Sequence, residues 1–208
     1  MTEITGYDLT HKKIMDSGKV NFLNDGYERA NLRKICKDAG VTTGAFYRHF
    51  NDKEDLFISL VDPLANELLG FYSKFEEESF QNIEKNCGED LSKINIEGSI
   101  ESALYMFSKK DLFNLLIYKS YGTKYDNFIE LLVEKEDINR HKALFHMVSN
   151  KKNIKPEVSK DAMHLLNHAY INALCEIIIH SQTEEEVKLN TRIVSKFFYD
   201  GWEKLRGF

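Results

Sequence analysis

Apolar residues recur at helical spacing along nearly the whole of this 208-residue chain. Ile14, Gly18 and Phe22 fall at i, i+4 and i+8 with Met15 beside them. Thr10 stands in front as the N-cap of this first helix, and Gly26 stops it with a left-handed cap. Asn31 caps a second helix with Leu32, Ile35, Cys36 and Ala39 inward, and Gly40 ends it. Thr42 or Thr43 caps a short third helix, Thr43–Phe50, whose apolar residues are Phe46 and Phe50. In "NDKE", Asn51 caps a fourth helix with Glu54 reaching back as a capping box. Leu56, Phe57, Leu60, Val61 and Leu64 carry that helix inward, and Pro63 inside it predicts a kink. Residues 76–98 read as a helix end and loop. Helical patterns then run over 99–120, 125–149, 159–181 and 183–206, broken at Gly122-Thr123 and at "NKKNIKPEV". The expected fold is all-α.

The second and third helices, joined by a tight Gly-Val turn, make a helix-turn-helix. A helix as short as 43–50 is marginal alone, so its neighbours must hold it. Phe46 and Phe50 anchor it from beneath, and Thr43, Gly44, Tyr47 and Arg48 form its outer side. A rigid polar helix of this kind suits the DNA major groove.

Composition changes this picture only locally. With 42% hydrophobic and 29% charged residues and two prolines, the chain is globular and free to build long helices. Its net charge of −5 does not advertise nucleic-acid binding, yet residues 31–53 hold five Lys/Arg against two Asp. A basic patch on an acidic protein still binds phosphate. Tyr47 and His49 can donate to phosphate oxygens, and Lys53 places an ammonium in the first turn of the fourth helix, beside free backbone N–H groups. Cys36, Cys87 and Cys175 are odd in number with no CxxC, so neither a disulfide framework nor a zinc signature is expected. The N-terminus lacks the apolar core of a signal peptide, and the longest apolar runs are too short for a bilayer. A cytoplasmic protein without membrane contact is expected.

The stretch "GYERANLRKICKDAGVTTGAFYRHFNDKEDLF", residues 26–57, resembles the tetracycline-repressor-like (TetR/AcrR) family of bacterial transcription regulators. The resemblance rests on Gly26-Tyr27, Ile35-Cys36, Ala39-Gly40-Val41, Thr42, Gly44, Phe46-Tyr47, His49-Phe50 and Lys53 with Leu56. It implies a DNA-binding domain over residues 1–52 and a helical effector-binding and dimerisation domain over 53–208. It further implies that Arg33, Thr43, Gly44, Ala45, Tyr47 and Arg48 face bases or groove walls, and that Thr42, Tyr47, His49 and Lys53 meet phosphates. The chain departs from the family pattern at Asn31, Cys36 and Ala45, and at Ser17-Gly18, where Ala-Ala is common. Ala45 leaves a methyl where relatives present a hydroxyl.

The last two helices are apolar over more than one face, and the resemblance implies that they form a four-helix interface in a homodimer. Leu166, Tyr170, Ala173, Ile177, Val194, Phe197, Phe198 and Trp202 are its expected residues. Phe71, Phe75, Tyr105, Phe113, Tyr118, Tyr121 and Phe128 are candidates to line a pocket for a small, lipophilic effector. His164 and His168 stand at i, i+4 with Asp161 nearby, a spacing that can bind metal. A di-metal bundle needs Glu-x-x-His, which the chain lacks. Ordinary partly buried histidines are therefore expected, with no metal, cofactor or catalytic residue. The expected function is a ligand-responsive repressor acting as a homodimer on an inverted-repeat DNA operator. The alternative is a helical enzyme or metal-binding protein that uses the His164/His168 pair.

Overall fold

The computed structural model describes residues 5–84, 91–149 and 158–206. The elements found there are helices: α1 (Gly6–Arg29), α2 (Leu32–Asp38), α3 (Thr43–Phe46), α4 (Lys53–Glu84), α5 (Leu91–Ser108), α6 (Lys110–Tyr118), α7 (Phe128–Ser149), α8 (Lys160–His180) and α9 (Glu184–Arg206). They form two compact units. One comprises the chain up to Asn66 with Asp111–Asn127; the other comprises Glu67–Lys110 with the chain from Phe128 onward. The division therefore does not fall at residue 52. The first part of α4 belongs with the N-terminal helices, and so does the segment 111–127.

In the first unit, Ile14, Phe22, Ile35, Phe46, Leu56, Phe57 and Val61 are fully buried, and Phe113, Leu115 and Leu116 of α6 are buried as well. Each such side chain contributes about 1.5–3 kcal/mol of transfer free energy. α1 begins earlier than expected. Thr5, not Thr10, is its N-cap, in a capping box with Asp8, while the Thr10 hydroxyl donates back to the Gly6 carbonyl at 2.8 Å. The start of α4 differs by one residue. The Asp52 carboxylate accepts from the Asp55 N–H at 2.8 Å, and Asp55 accepts from the Asn51 N–H at 2.8 Å. Glu54 instead accepts from the Lys124 N–H at 3.3 Å. α4 runs on through Pro63 as a single helix.

In the second unit, α5 packs on α8 and α9, α7 packs on α8, and α8 packs on α9. Helix extends further than the sequence pattern suggested, with α4 reaching Glu84 and α5 starting at Leu91.

Candidate nucleic-acid interface

The helix-turn-helix is set by short-range hydrogen bonds. Asn31 caps α2 by accepting from the Arg33 and Lys34 N–H groups. At the other end, Gly40 has φ +69°, a conformation open to glycine at no steric cost. Its N–H donates to the Lys37 carbonyl at 3.0 Å, and the Val41 N–H donates to Cys36 at 2.9 Å. These two bonds are a Schellman closure. Thr42 then caps α3 by accepting from the Ala45 N–H at 3.1 Å.

α3 itself is one turn, shorter than the expected Thr43–Phe50. The chain continues to Phe50 through N–H bonds from Tyr47 to Thr43, Arg48 to Ala45, and His49 and Phe50 to Phe46. Phe46 and Phe50 are buried at 0% and 3% exposure, with ring centroids 5.5 Å apart. Thr42, Thr43, Gly44, Tyr47 and Arg48 are exposed, as is Arg33 on α2, while Ala45 and His49 are half-buried. A pinned underside and an open polar outer side are what a reading segment needs.

The first turn of α1 also reaches this segment, which sequence reasoning missed. The Tyr7 hydroxyl donates to the Arg48 carbonyl at 3.3 Å, and its ring lies 4.1 Å from the His49 imidazole. The His11 ring stacks on Phe50 at 4.7 Å and lies 5.6 Å from His49. Desolvation, the charge of His11 and that of Arg48 hold the His49 pKa below its ordinary value. With α1 taken to start after Thr10, Tyr7 had no helix to stand on.

Lys53 does not have the geometry expected of a phosphate contact. Its ammonium donates to the carbonyls of Tyr27, Glu28 and Ala30 at 2.7, 3.1 and 3.1 Å. All three N–H bonds are thereby engaged at the end of α1, where carbonyls lack helical partners.

The pocket candidates divide between the units. Phe113, Tyr118 and Tyr121 lie in the first, where Phe113 is core and the two tyrosines are exposed. Tyr118 and Tyr121 line a small cleft of about 170 Å³ with Asp25, Tyr27, Arg29 and Lys119. In the second, the Phe71 and Tyr105 rings meet edge to face at 5.2 Å, and Phe128 is core. Phe75 lies outside the described side chains.

The expected dimer residues divide too. Tyr170 and Trp202 are buried at 5% and 3% exposure, with ring centroids 5.2 Å apart. Leu166, Val194 and Phe198 pack against that cluster. Tyr170 also shares hydrogen bonds with Ser99 and Ser195 at 2.8 and 2.9 Å. Tyr170 and Trp202 thus belong to the core of their own unit. The exposed apolar residues are Leu165 on α8 and Leu189, Ile193, Phe197 and Leu205 on α9, with Phe197 at 74%. Ala173 and Ile177 are half-buried.

An N-terminal helix-turn-helix stands ahead of a larger set of helices. Residues 14–60 match the model for bacterial regulatory proteins of the tetR family. The HTH-type transcriptional repressor AcnR of Corynebacterium diphtheriae is 34% identical over 56 residues, covering 27% of this chain and 30% of that protein. The fatty acid metabolism regulator protein of Bacillus subtilis is 35% identical over 68 residues, covering 33% and 34%. The match thus spans about a third of each relative's length. The crystal structure of FadR from Bacillus subtilis in complex with stearoyl-CoA shares the fold. Its TM-score is 0.56 at 17% identity, covering 91% of this chain and 98% of that one. These relatives are named as regulators and lend the enzyme reading no support.

Proposed function

We propose that this chain is a transcriptional regulator, a ligand-responsive repressor that binds an inverted-repeat DNA operator as a homodimer. The observation that carries this reading is the segment 42–50, pinned by Phe46 and Phe50 with Thr43, Gly44, Tyr47 and Arg48 open to solvent. Arg33, Thr43, Gly44, Ala45 and Arg48 would face the groove, and Thr42, Tyr47 and His49 would meet phosphates. Two copies joined through the exposed apolar face of α8 and α9 would present two reading segments to half-sites roughly 34–36 Å apart. A small, lipophilic effector would bind among aromatic side chains such as Phe71 and Tyr105, and its effect would pass along α4, whose residues belong to both units. An effector acts by binding one spacing of the reading segments better than another. A cytoplasmic location follows from this role, and among the described residues no helix is long and apolar enough to cross a membrane.

Gly44→Ala tests the reading directly. A Cβ at Gly44 meets only the Thr42 hydroxyl, at 3.9 Å, so the fold accepts it. The change should leave thermal stability intact or slightly raised, and weaken operator binding at least tenfold by pushing the backbone off the DNA. The operator is an inverted repeat selected from random duplexes by the wild-type protein. Failure to select any sequence, or unchanged affinity in the variant, defeats the assignment.

A further inference from the structure

The segment from Thr42 to Phe50 is only partly held by its own backbone. α3 ends at Phe46. Beyond it the Tyr47 and Phe50 N–H groups reach four residues back, but those of Arg48 and His49 donate to Ala45 and Phe46, three back, at 3.2 and 2.9 Å. Bonds of that shorter span have poorer geometry than α-helical ones and are used in short pieces. Tyr47 and Arg48, both exposed, stand on this weaker half of the segment.

The first turn of α1 closes it from outside. Tyr7 and His11 are one turn apart on one helix face. The Tyr7 ring is centred 4.1 Å from the His49 imidazole, and the His11 ring 4.7 Å from Phe50. The Tyr7 hydroxyl donates to the Arg48 carbonyl at 3.3 Å, so its proton is engaged within the protein. The platform is itself stiff. Thr5 and Asp8 close a capping box, the Thr10 hydroxyl donates to the Gly6 carbonyl, and Ile14 further along is fully buried. Yet Tyr7 remains 56% exposed, so its ring gains little from burial. A surface aromatic set against the end of the reading segment is explained by orientation better than by stability.

We propose that Tyr7 is a positioning residue for DNA recognition. It touches no base. By holding the Arg48 backbone and the His49 ring it sets the direction in which the Tyr47 and Arg48 side chains leave the segment. The proposal rests on the DNA-binding role given above and adds α1 to the determinants of sequence specificity.

The test compares wild type, Tyr7→Phe and Tyr7→Ala on the operator selected by the wild-type protein and on a scrambled duplex of equal length and composition. Tyr7→Ala should bind the operator about tenfold more weakly, the scale of one lost base contact. It should lose far less on the scrambled duplex, whose binding comes from phosphate contacts spread over the whole surface. Tyr7→Phe keeps the ring without the hydrogen bond and should fall between. In the free protein, amide hydrogen exchange at Arg48, His49 and Phe50 should quicken in Tyr7→Ala, while Ile35 and Cys36 on α2 keep the wild-type rate and so report an intact fold. Unchanged operator affinity, or unchanged exchange at 48–50, overturns the positioning role and leaves DNA binding standing. Equal losses on both duplexes, or quickened exchange on α2 in Tyr7→Phe as well as Tyr7→Ala, overturn it too. A wild-type protein that selects no operator overturns the DNA-binding role and this proposal together.

Discussion

Lys53 and Tyr27 are joined twice. The Lys53 ammonium donates to the Tyr27 carbonyl at 2.7 Å and also lies 4.3 Å from the centre of the Tyr27 ring. With the Glu28 and Ala30 carbonyls taken as well, one side chain from the start of α4 closes the end of α1. Burial lowers the Lys53 pKa, with the Glu28 charge opposing the shift.

Lys53→Met keeps the stem and removes the three donors. Hydrogen bonds to charged groups are worth about 1.5–3 kcal/mol each, less where water can replace them. The variant should lose about 1–3 kcal/mol in denaturant unfolding. The slope of log affinity against log salt on DNA should stay at the wild-type value, because the ammonium neutralises no phosphate. A slope reduced by about one would return Lys53 to the DNA interface.

Gly18 has a reason that its helix propensity hides. A Cβ there would stand 2.7 Å from Leu56 Cδ2 and 3.2 Å from Cγ, and Leu56 is fully buried. The close approach of α1 and α4 therefore disfavours an alanine here. Gly18→Ala should cost about 1–2 kcal/mol by overpacking. In a Leu56→Val background the same change should be neutral or stabilising, since alanine is worth about 1 kcal/mol over glycine in a helix interior. Equal cost in both backgrounds would refute the packing argument.

These cases mark what a sequence carries. Asn31, Gly40 and Thr42 were legible because a cap acts on partners two to five residues away. Phe46 and Phe50 were legible because one face of a short helix must be buried. The role of Lys53 was not, because its carbonyl partners lie 23 to 26 residues back, at a helix end. Tyr170 and Trp202 were assigned to the wrong side because α8 and α9 are apolar on two faces, and only packing decides which faces inward. Glu130 and Asp137 joined His164 through the register of α7 on α8, which no spacing within one helix encodes.

The His11–His49 contact predicts an acid-sensitive first unit. The folded state holds the His49 pKa below the ordinary 6.5, first by desolvation, then by the charges of His11 and Arg48. The unfolded chain thus takes up the proton more readily. The stabilising contribution is whole above pH 6.5 and is lost as pH falls from there through the folded value. His164 works in the opposite sense. Its pKa is raised, chiefly by the Asp137 hydrogen bond, so its contribution is whole below 6.5 and fades as pH rises through the folded value. Unfolding followed from pH 7.5 to 5 in the wild type and in His49→Gln separates the two. The variant should be less acid-sensitive, and identical profiles would remove His49 from the account.

Phe197 and Trp202 separate assembly from folding on one helix. Phe197 is 74% exposed on α9, in line with Leu189 and Ile193, an apolar stripe that a lone chain would leave in water. Trp202, five residues on, is 3% exposed and packs against Tyr170, Phe198 and Tyr199. If the stripe is the dimer face, Phe197→Glu should give a folded monomer by sedimentation at micromolar concentration, with helical content unchanged. Its operator affinity should fall steeply, because one reading segment cannot span two half-sites. Trp202→Ala should instead cost about 3–5 kcal/mol, the usual range for emptying a core tryptophan site. It should lower the unfolding midpoint before it changes the oligomeric state. A Phe197→Glu protein that still sediments as a dimer would place the partner on a surface other than this stripe.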